Sequence, residues 1–293
     1  MRLFLLVSLT MVAFAANSIL GRMAIGAGHM EATSFGLLRL FSGAVTLTLL
    51  CLLSKLSLRR DLRQTLWGGL ALTVYIIGFS VAYKDLDAGL GALILFGVVQ
   101  VSMFLWGALR GSAVSLGQIS GAVIALAGLA VVVWPTDGAS ATPLGASLLM
   151  ALGGLGWAGY SLLGRGAKAP LAATAVNFAA ATAMMVPGVM IFGAEIVVSP
   201  TGVILAILSG AVTSGLGYAL WYYVLPQLAP AVAATVQLSV PVIAILAGAA
   251  LLGEVIGLRL TIGSVAVLGG IAVVVLSAPG RNLRGALGSA KNN

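Results

Sequence analysis

Very little in this sequence could run acid-base or nucleophilic chemistry: its 293 residues include one cysteine, one histidine and seven carboxylates. A lone thiol, Cys51, excludes an intramolecular disulfide, a thiol pair and a cysteine-rich metal site. His29 has no second histidine to share a metal with and falls in a connecting segment, where a surface role is the plainer reading. The carboxylates Glu31, Asp61, Asp85, Asp87, Asp137, Glu195 and Glu254 all lie at or beyond the ends of apolar stretches. None is placed for a proton relay at mid-membrane. If proton coupling exists, Asp85 and Asp87 are the groups to test. No catalytic set, metal or cofactor is expected. Charge of any kind is scarce, at 8% of residues against 60% hydrophobic, whereas a soluble domain carries about 25% charged residues. A chain with so little wettable surface has the lipid bilayer as its solvent.

What is present is long uncharged runs. They extend over Leu3 to Gly21, Gln64 to Tyr83, Ala88 to Leu109, Gly111 to Thr136, Gly138 to Gly164 and Ala169 to Ala194. Each is long enough to cross about 30 Å of hydrocarbon as a helix. The run from Ile196 to Gly253 is too long for one crossing, and Leu225-Pro226-Gln227-Leu228-Ala229-Pro230 divides it into two. With Ser34 to Ser54, interrupted only by Arg39, and Leu260 to Leu276, ten spans are predicted. The fold class is therefore an all-α membrane protein of ten transmembrane helices. Arg2, an apolar run and Ala13-Phe14-Ala15 imitate a cleavable signal peptide. The segment is nonetheless kept as the first span, because Asn17-Ser-Ile-Leu-Gly-Arg22 recurs as Tyr160-Ser-Leu-Leu-Gly-Arg165.

That recurrence belongs to a larger one. Ala108-Leu-Arg-Gly-Ser112 matches Ala250-Leu-Leu-Gly-Glu254, and Gly128-Leu-Ala-Val-Val-Val133 matches Gly270-Ile-Ala-Val-Val-Val275, always 142 or 143 residues apart. Chance likeness of apolar, glycine-rich segments explains one such match less and less well as the order and offset hold. The chain divides into a first five-helix repeat over 1–134, a second over 145–277 and a tail over 278–293. Five is odd, so the second repeat enters the membrane from the opposite side, and the repeats are inverted. Basic residues orient the whole. With the N-terminus cytoplasmic, eleven of the fifteen Lys and Arg fall inside and only Arg22, Lys84 and Arg259 outside, Arg39 lying within a span. Both termini are then cytoplasmic, in a bacterial inner membrane. The net charge of +8 is spread over short loops, with no extended basic face beyond Arg59, Arg60 and Arg63, so no nucleic-acid partner is expected.

The polar residues inside the spans are the candidates for function. Arg39 is the one ionisable residue well within a span, where burial costs roughly 2.5–3.5 kcal/mol unless it is paired or wet; snorkelling to the interface is the competing reading. Asn17, Gln100, Gln118, Asn177 and Gln237 place amides in or at the ends of spans, either to bond between helices or to line a hydrated cavity. Aromatic residues recur on one face of three spans: Tyr75, Phe79 and Tyr83; Trp157 and Tyr160; Tyr218, Trp221 and Tyr222. Packing or an interfacial belt accounts for Tyr83, Tyr222, Trp67 and Trp134 near span ends. Tyr75, Trp157, Tyr160 and Tyr218 instead could wall a pocket where the two repeats meet, suited to a flat solute with polar ends. Pro241 is expected to kink the ninth span and free a carbonyl, making that span and the fourth a pair of gating elements. Gly117-x-x-x-Gly121 and Gly253-x-x-x-Gly257 are spacings that let helices approach closely, not phosphate-binding turns.

Together, the Ala108-to-Ser112 and Ala250-to-Glu254 segments, Gly-Arg after the first and sixth spans, Arg39 and the Pro241 span resemble the EamA family of the drug/metabolite transporter superfamily. The overall pattern and aromatic content are most like its aromatic amino-acid exporters. The resemblance implies a ten-helix basket around a central cavity walled by spans 1 to 4 and 6 to 9. It departs at Ser112, where the second repeat has Glu254, so the acidic position cannot serve both halves. The expected activity is export of amino acids, aromatic ones preferred, by alternating access and as a monomer. Asn17, Gln100, Asn177, Gln237 and Arg39 would hold the polar end. Other metabolites or cationic drugs are the alternative cargo, and a non-transporting membrane scaffold the alternative from another class.

Overall fold

The computed structural model describes residues 1–111, 113–134, 143–164, 167–192, 197–228 and 230–277. The tail over 278–293, with Ser112, Asp137, Arg165 and Glu195, lies outside the described residues. Everything described is helical apart from short connections, as it must be where no water is available to satisfy backbone amides and carbonyls. The helices are α1 (Arg2–Gly21), α2 (Ala32–Leu53), α3 (Leu62–Ala82), α4 (Ala88–Leu109), α5 (Leu116–Val133), α6 (Leu144–Leu163) and α7 (Pro170–Phe192). They continue as α8 (Pro200–Ile207), α9 (Gly217–Val224), α10 (Pro230–Gln237), α11 (Ser239–Leu252) and α12 (Leu258–Leu276). The eighth span is a composite, α8 and α9 being joined by the wider π-helical turns of Leu208–Leu216. The ninth is α10 and α11, broken at Leu238. Ten long apolar helical segments result among the described residues, matching the count of uncharged runs.

Packing follows the repeat. Spans 3 and 6 lie together, as α3 with α6, and so do their counterparts 8 and 1. Span 4 packs on 6 and span 9 on 1; span 3 packs on 7 and span 8 on 2. The pairs 2 with 7, 4 with 9 and 5 with 10 are their own counterparts. Exchanging the halves leaves these pairings unchanged, as expected of two repeats related by a pseudo-two-fold axis.

Two of these seams depend on missing side chains. A Cβ at Gly156 would sit 2.6 Å from the Tyr75 amide nitrogen and 2.8 Å from the Ala71 carbonyl oxygen. Gly78 faces the Leu149 carbonyl from the other helix in the same way. The α3 and α6 backbones are therefore in direct contact, as small residues permit in a membrane. Gly121 makes the same approach to the Gly270 carbonyl across α5 and α12. Gly253 and Gly257 do not: Gly253 holds the left-handed turn that ends α11, and nothing approaches the Cβ position of either. Their spacing reflects a turn and not a helix seam. Gln118 differs from its expectation too. Its Oε1 accepts from the Ser115 amide at 3.1 Å and its own amide donates to Ser115 Oγ at 3.2 Å, so it caps α5 instead of bridging helices.

Candidate functional site

A cavity of about 550 Å³ lies between the repeats. Aromatic residues line much of it: Phe14, Trp157, Tyr160, Tyr218, Trp221 and Tyr222, with Val99, Gln100, Met103 and Gln237. Tyr222, assigned from sequence to packing or a belt, thus borders the cavity instead. A void of about 20 Å³ continues beneath it, bounded by Asn17, Ser18, Tyr75, Phe79, Trp157 and Tyr218 among others. The rings form one contiguous wall. Tyr75 and Trp157 have centroids 5.1 Å apart, Trp157 and Tyr160 5.5 Å, Trp157 and Tyr218 5.1 Å, and Phe14 and Tyr218 5.6 Å. These are the separations at which aromatic pairs attract beyond their burial.

The wall obeys the repeat. Tyr75 and Tyr218 stand 143 residues apart, as do Phe14 and Trp157. The two tyrosines come from the equivalent spans 3 and 8, and Phe14 and Trp157 from the equivalent spans 1 and 6. Sequence reading left out Phe14, although the same offset that located the repeat would have found it.

Behind the wall is a polar core. The Asn17 Oδ1 accepts from Ser209 Oγ at 2.9 Å, Thr213 Oγ1 at 2.7 Å and Ser214 Oγ at 3.3 Å. The π-helical turns bring all three hydroxyls to one acceptor, and such turns recur at functional sites. Their spacing within Ser209-Gly-Ala-Val-Thr-Ser214 was the signal available in the sequence. Arg39 is fully buried and does not snorkel. Its Nε donates to Ser214 Oγ at 3.1 Å and its Nη2 to the Tyr75 hydroxyl at 2.9 Å, while Nη1 has no partner. The guanidinium carbon lies 4.6 Å from the Phe79 ring centroid and 5.4 Å from that of Tyr75, within cation–π range.

The remaining amides are divided. Gln100 and Gln237 face the cavity from α4 and α10, and Gln237 Nε2 also donates to the Ala233 carbonyl at 3.4 Å. Asn177 packs against Gly68 of α3 beside the Tyr160 hydroxyl. That hydroxyl is itself bonded to Thr174 Oγ1 at 2.9 Å. Pro241 lies three residues past the break in the ninth span and lacks the N–H that would bond the Gln237 carbonyl, so the interruption sits at the cavity wall.

Among the described residues, the cavity lining reaches the membrane face on one side. Gly164, Leu225 and Leu228 at its mouth belong to the connections on the side where α1 begins. The opposite face is tied shut. Met30 and Val198 form an antiparallel bridge, flanked by Glu31 N to Val197 O at 3.0 Å and Ser199 N to His29 O at 2.9 Å. Arg22 donates to the Tyr83 and Lys84 carbonyls and pairs with Asp87 at 3.7 Å. Glu254, from the second repeat, accepts the Ala88 and Gly89 amides at 2.6 and 3.3 Å and so caps α4 of the first. Burial raises its carboxyl above the ordinary carboxylate range against the pull of those two amides.

Glu31 behaves oppositely. Burial pushes its carboxyl up, but hydrogen bonds from the Thr33 hydroxyl and the Ser34 and Thr33 amides, with nearby Lys84, carry it below the usual value. A depressed folded value contributes stability at neutral pH that is lost as pH falls through it. Glu31→Gln is therefore expected to lower stability by about 1 kcal/mol at pH 7 and to have a smaller effect at pH 4, below the ordinary carboxylate value. Thermal unfolding of the detergent-solubilised pair at both pH values checks this.

Residues 144–276 match the EamA-like transporter family. Uncharacterized protein PA1977 of Pseudomonas aeruginosa is 48% identical over 287 residues, which cover 97% of this chain and 98% of that protein. One solved crystal structure superposes on 94% of this chain and 98% of its own, with a TM-score of 0.68 at 17% identity. That identity shows a shared fold and no more.

Proposed function

We propose that this chain, whose residues 144–276 match the EamA-like transporter family and whose described residues include ten apolar helices long enough to cross a membrane, is a multi-pass transporter of that kind that exports amino acids, aromatic ones preferred. The observation that carries the reading is the symmetric aromatic wall around a cavity with no carboxylate among its described lining residues. A cationic drug would be better served by a buried acid. In this reading the solute enters from the cytoplasm of a bacterial cell through the mouth at Gly164 and Leu228. Basic residues crowd that face of the membrane. The side chain lies between Trp157, Tyr218 and Phe14, while Gln100, Gln237, Asn177 and Arg39 serve the polar end. The tie at Glu31, Arg22 and Glu254 opens when the mouth closes, with the break before Pro241 as a hinge. One subunit contains the whole cavity.

Flux of labelled phenylalanine, tryptophan and threonine into proteoliposomes tests this, with phenylalanine and tryptophan expected to move faster than threonine. No flux of any of them would sink the amino-acid reading. Trp157→Ala removes the ring that touches Tyr75, Tyr160 and Tyr218. It is expected to reduce tryptophan flux at low concentration by roughly tenfold, since ring contacts add about 0.5–1.5 kcal/mol each. Threonine flux should fall less.

A further inference from the structure

Arg39 is a buried cation to which the described residues give no anion. It belongs to neither described ion pair, its Nη1 has no partner, and its hydrogen bonds go to two neutral hydroxyls. A guanidinium stays charged in any protein, and a desolvated charge is costly unless paired. The repeat makes its position informative. The aromatic wall is symmetric, yet the residue 143 positions beyond Arg39 is Thr182. Only one end of the symmetric cage is charged. A cage of this kind orients its cargo, rings between rings and an anionic group towards the Arg39 end.

We propose that Arg39 and the Tyr75 hydroxyl form a carboxylate-binding subsite at the floor of the cavity, so that a carboxylate is required of the cargo and an amino group is not. The inference rests on the transport reading of the cavity. Tyr75 contacts Arg39 on one side and bounds the 20 Å³ void on the other. That void has room for about one water, so the carboxylate displaces Tyr75 from Nη2 and takes Nη2 and Nη1 together, in the paired geometry guanidinium offers planar anions. Tyr75, freed as an acceptor, keeps its proton for donation to the same group.

Binding to the purified protein, followed by tryptophan fluorescence and by competition for proteoliposome flux, is measured for phenylalanine, 3-phenylpropionate, phenylalaninamide and phenethylamine. The two carboxylates are expected to bind within a few fold of each other, and the amide and amine roughly thirtyfold more weakly. Amide or amine binding as tightly as phenylalanine overturns the proposal on the wild-type protein alone. Binding of none of the four overturns it together with the aromatic reading. If 3-phenylpropionate binds and phenylalanine does not, the carboxylate site stands and the amino-acid reading falls. Arg39→Gln, checked for folding by gel filtration, should reduce the acid-to-amide ratio to near one, and Arg39→Lys should restore part of it. A purely structural arginine would instead weaken all four ligands together and leave the ratio unchanged.

Discussion

Replacing Asn17 with leucine is expected to abolish transport and to destabilise the protein by about 2–4 kcal/mol. Ser209 and Ser214 lose their shared acceptor, and each buried hydroxyl left unpaired costs about 1–3 kcal/mol. Thr213 suffers less, because its hydroxyl also donates to the Ser209 carbonyl at 2.9 Å. The damage spreads through Ser214, which accepts from Arg39 while donating to Asn17. Asn17→Asp keeps an acceptor and should hold the fold, while placing a carboxylate near Arg39 and so weakening uptake of carboxylates. A thermal melt in detergent together with flux separates the two variants. A leucine variant as stable as wild type would show that the three hydroxyls do not need Asn17.

Gly156→Val is the second change with a large expected effect. Its Cβ would fall 2.6 Å from the Tyr75 amide nitrogen and 2.8 Å from the Ala71 carbonyl oxygen. These are backbone atoms with no rotamer to yield, so α3 and α6 must separate. Overpacking of this type costs about 1–3 kcal/mol and often more. Trp157 is the next residue and Tyr75 the one it would strike, so the separation also widens the ring contact between them. We expect a lowered melting temperature and loss of preference for tryptophan over threonine. Gly159→Val on the same helix, where nothing lies near the Cβ position, is the control and should behave as wild type. Equal melting curves for the two variants would refute the backbone-contact account.

The ten spans were legible in the sequence because charge is excluded from lipid, and the gaps between Lys, Arg, Asp and Glu mark them directly. The repeat was legible because its offset survives in short matches. Where the cavity lies was harder to read. Tyr75, Trp157, Tyr160 and Tyr218 could be selected by their mid-span positions, but Phe14 passed as one more apolar residue. The hydroxyls of Ser209, Thr213 and Ser214 converge only because the helix widens there, and hydrophobic periodicity does not report a local change in helical pitch. Gln118 and Gly257 misled for a related reason. A membrane amide and a Gly-x-x-x-Gly spacing carry no label that separates a helix end from a helix seam. The loop ties that close one face depend on backbone pairing, as between Met30 and Val198, which side-chain identity does not encode.

The seams described above also say how the aromatic wall must come apart. Tyr75, Phe79, Trp157 and Tyr160 ride on α3 and α6, whose backbones touch and so move as one body. Phe14, Tyr218 and Trp221 ride on α1 and α9, the equivalent pair. Among the described ring contacts, only that of Trp157 with Tyr218 joins the two sets. A rocking motion can therefore leave each half of the cage intact and part a single tilted pair, and the ring of a bound solute that slips between them replaces the contact it breaks. The cargo becomes, for the moment of crossing, the missing layer between two rigid halves.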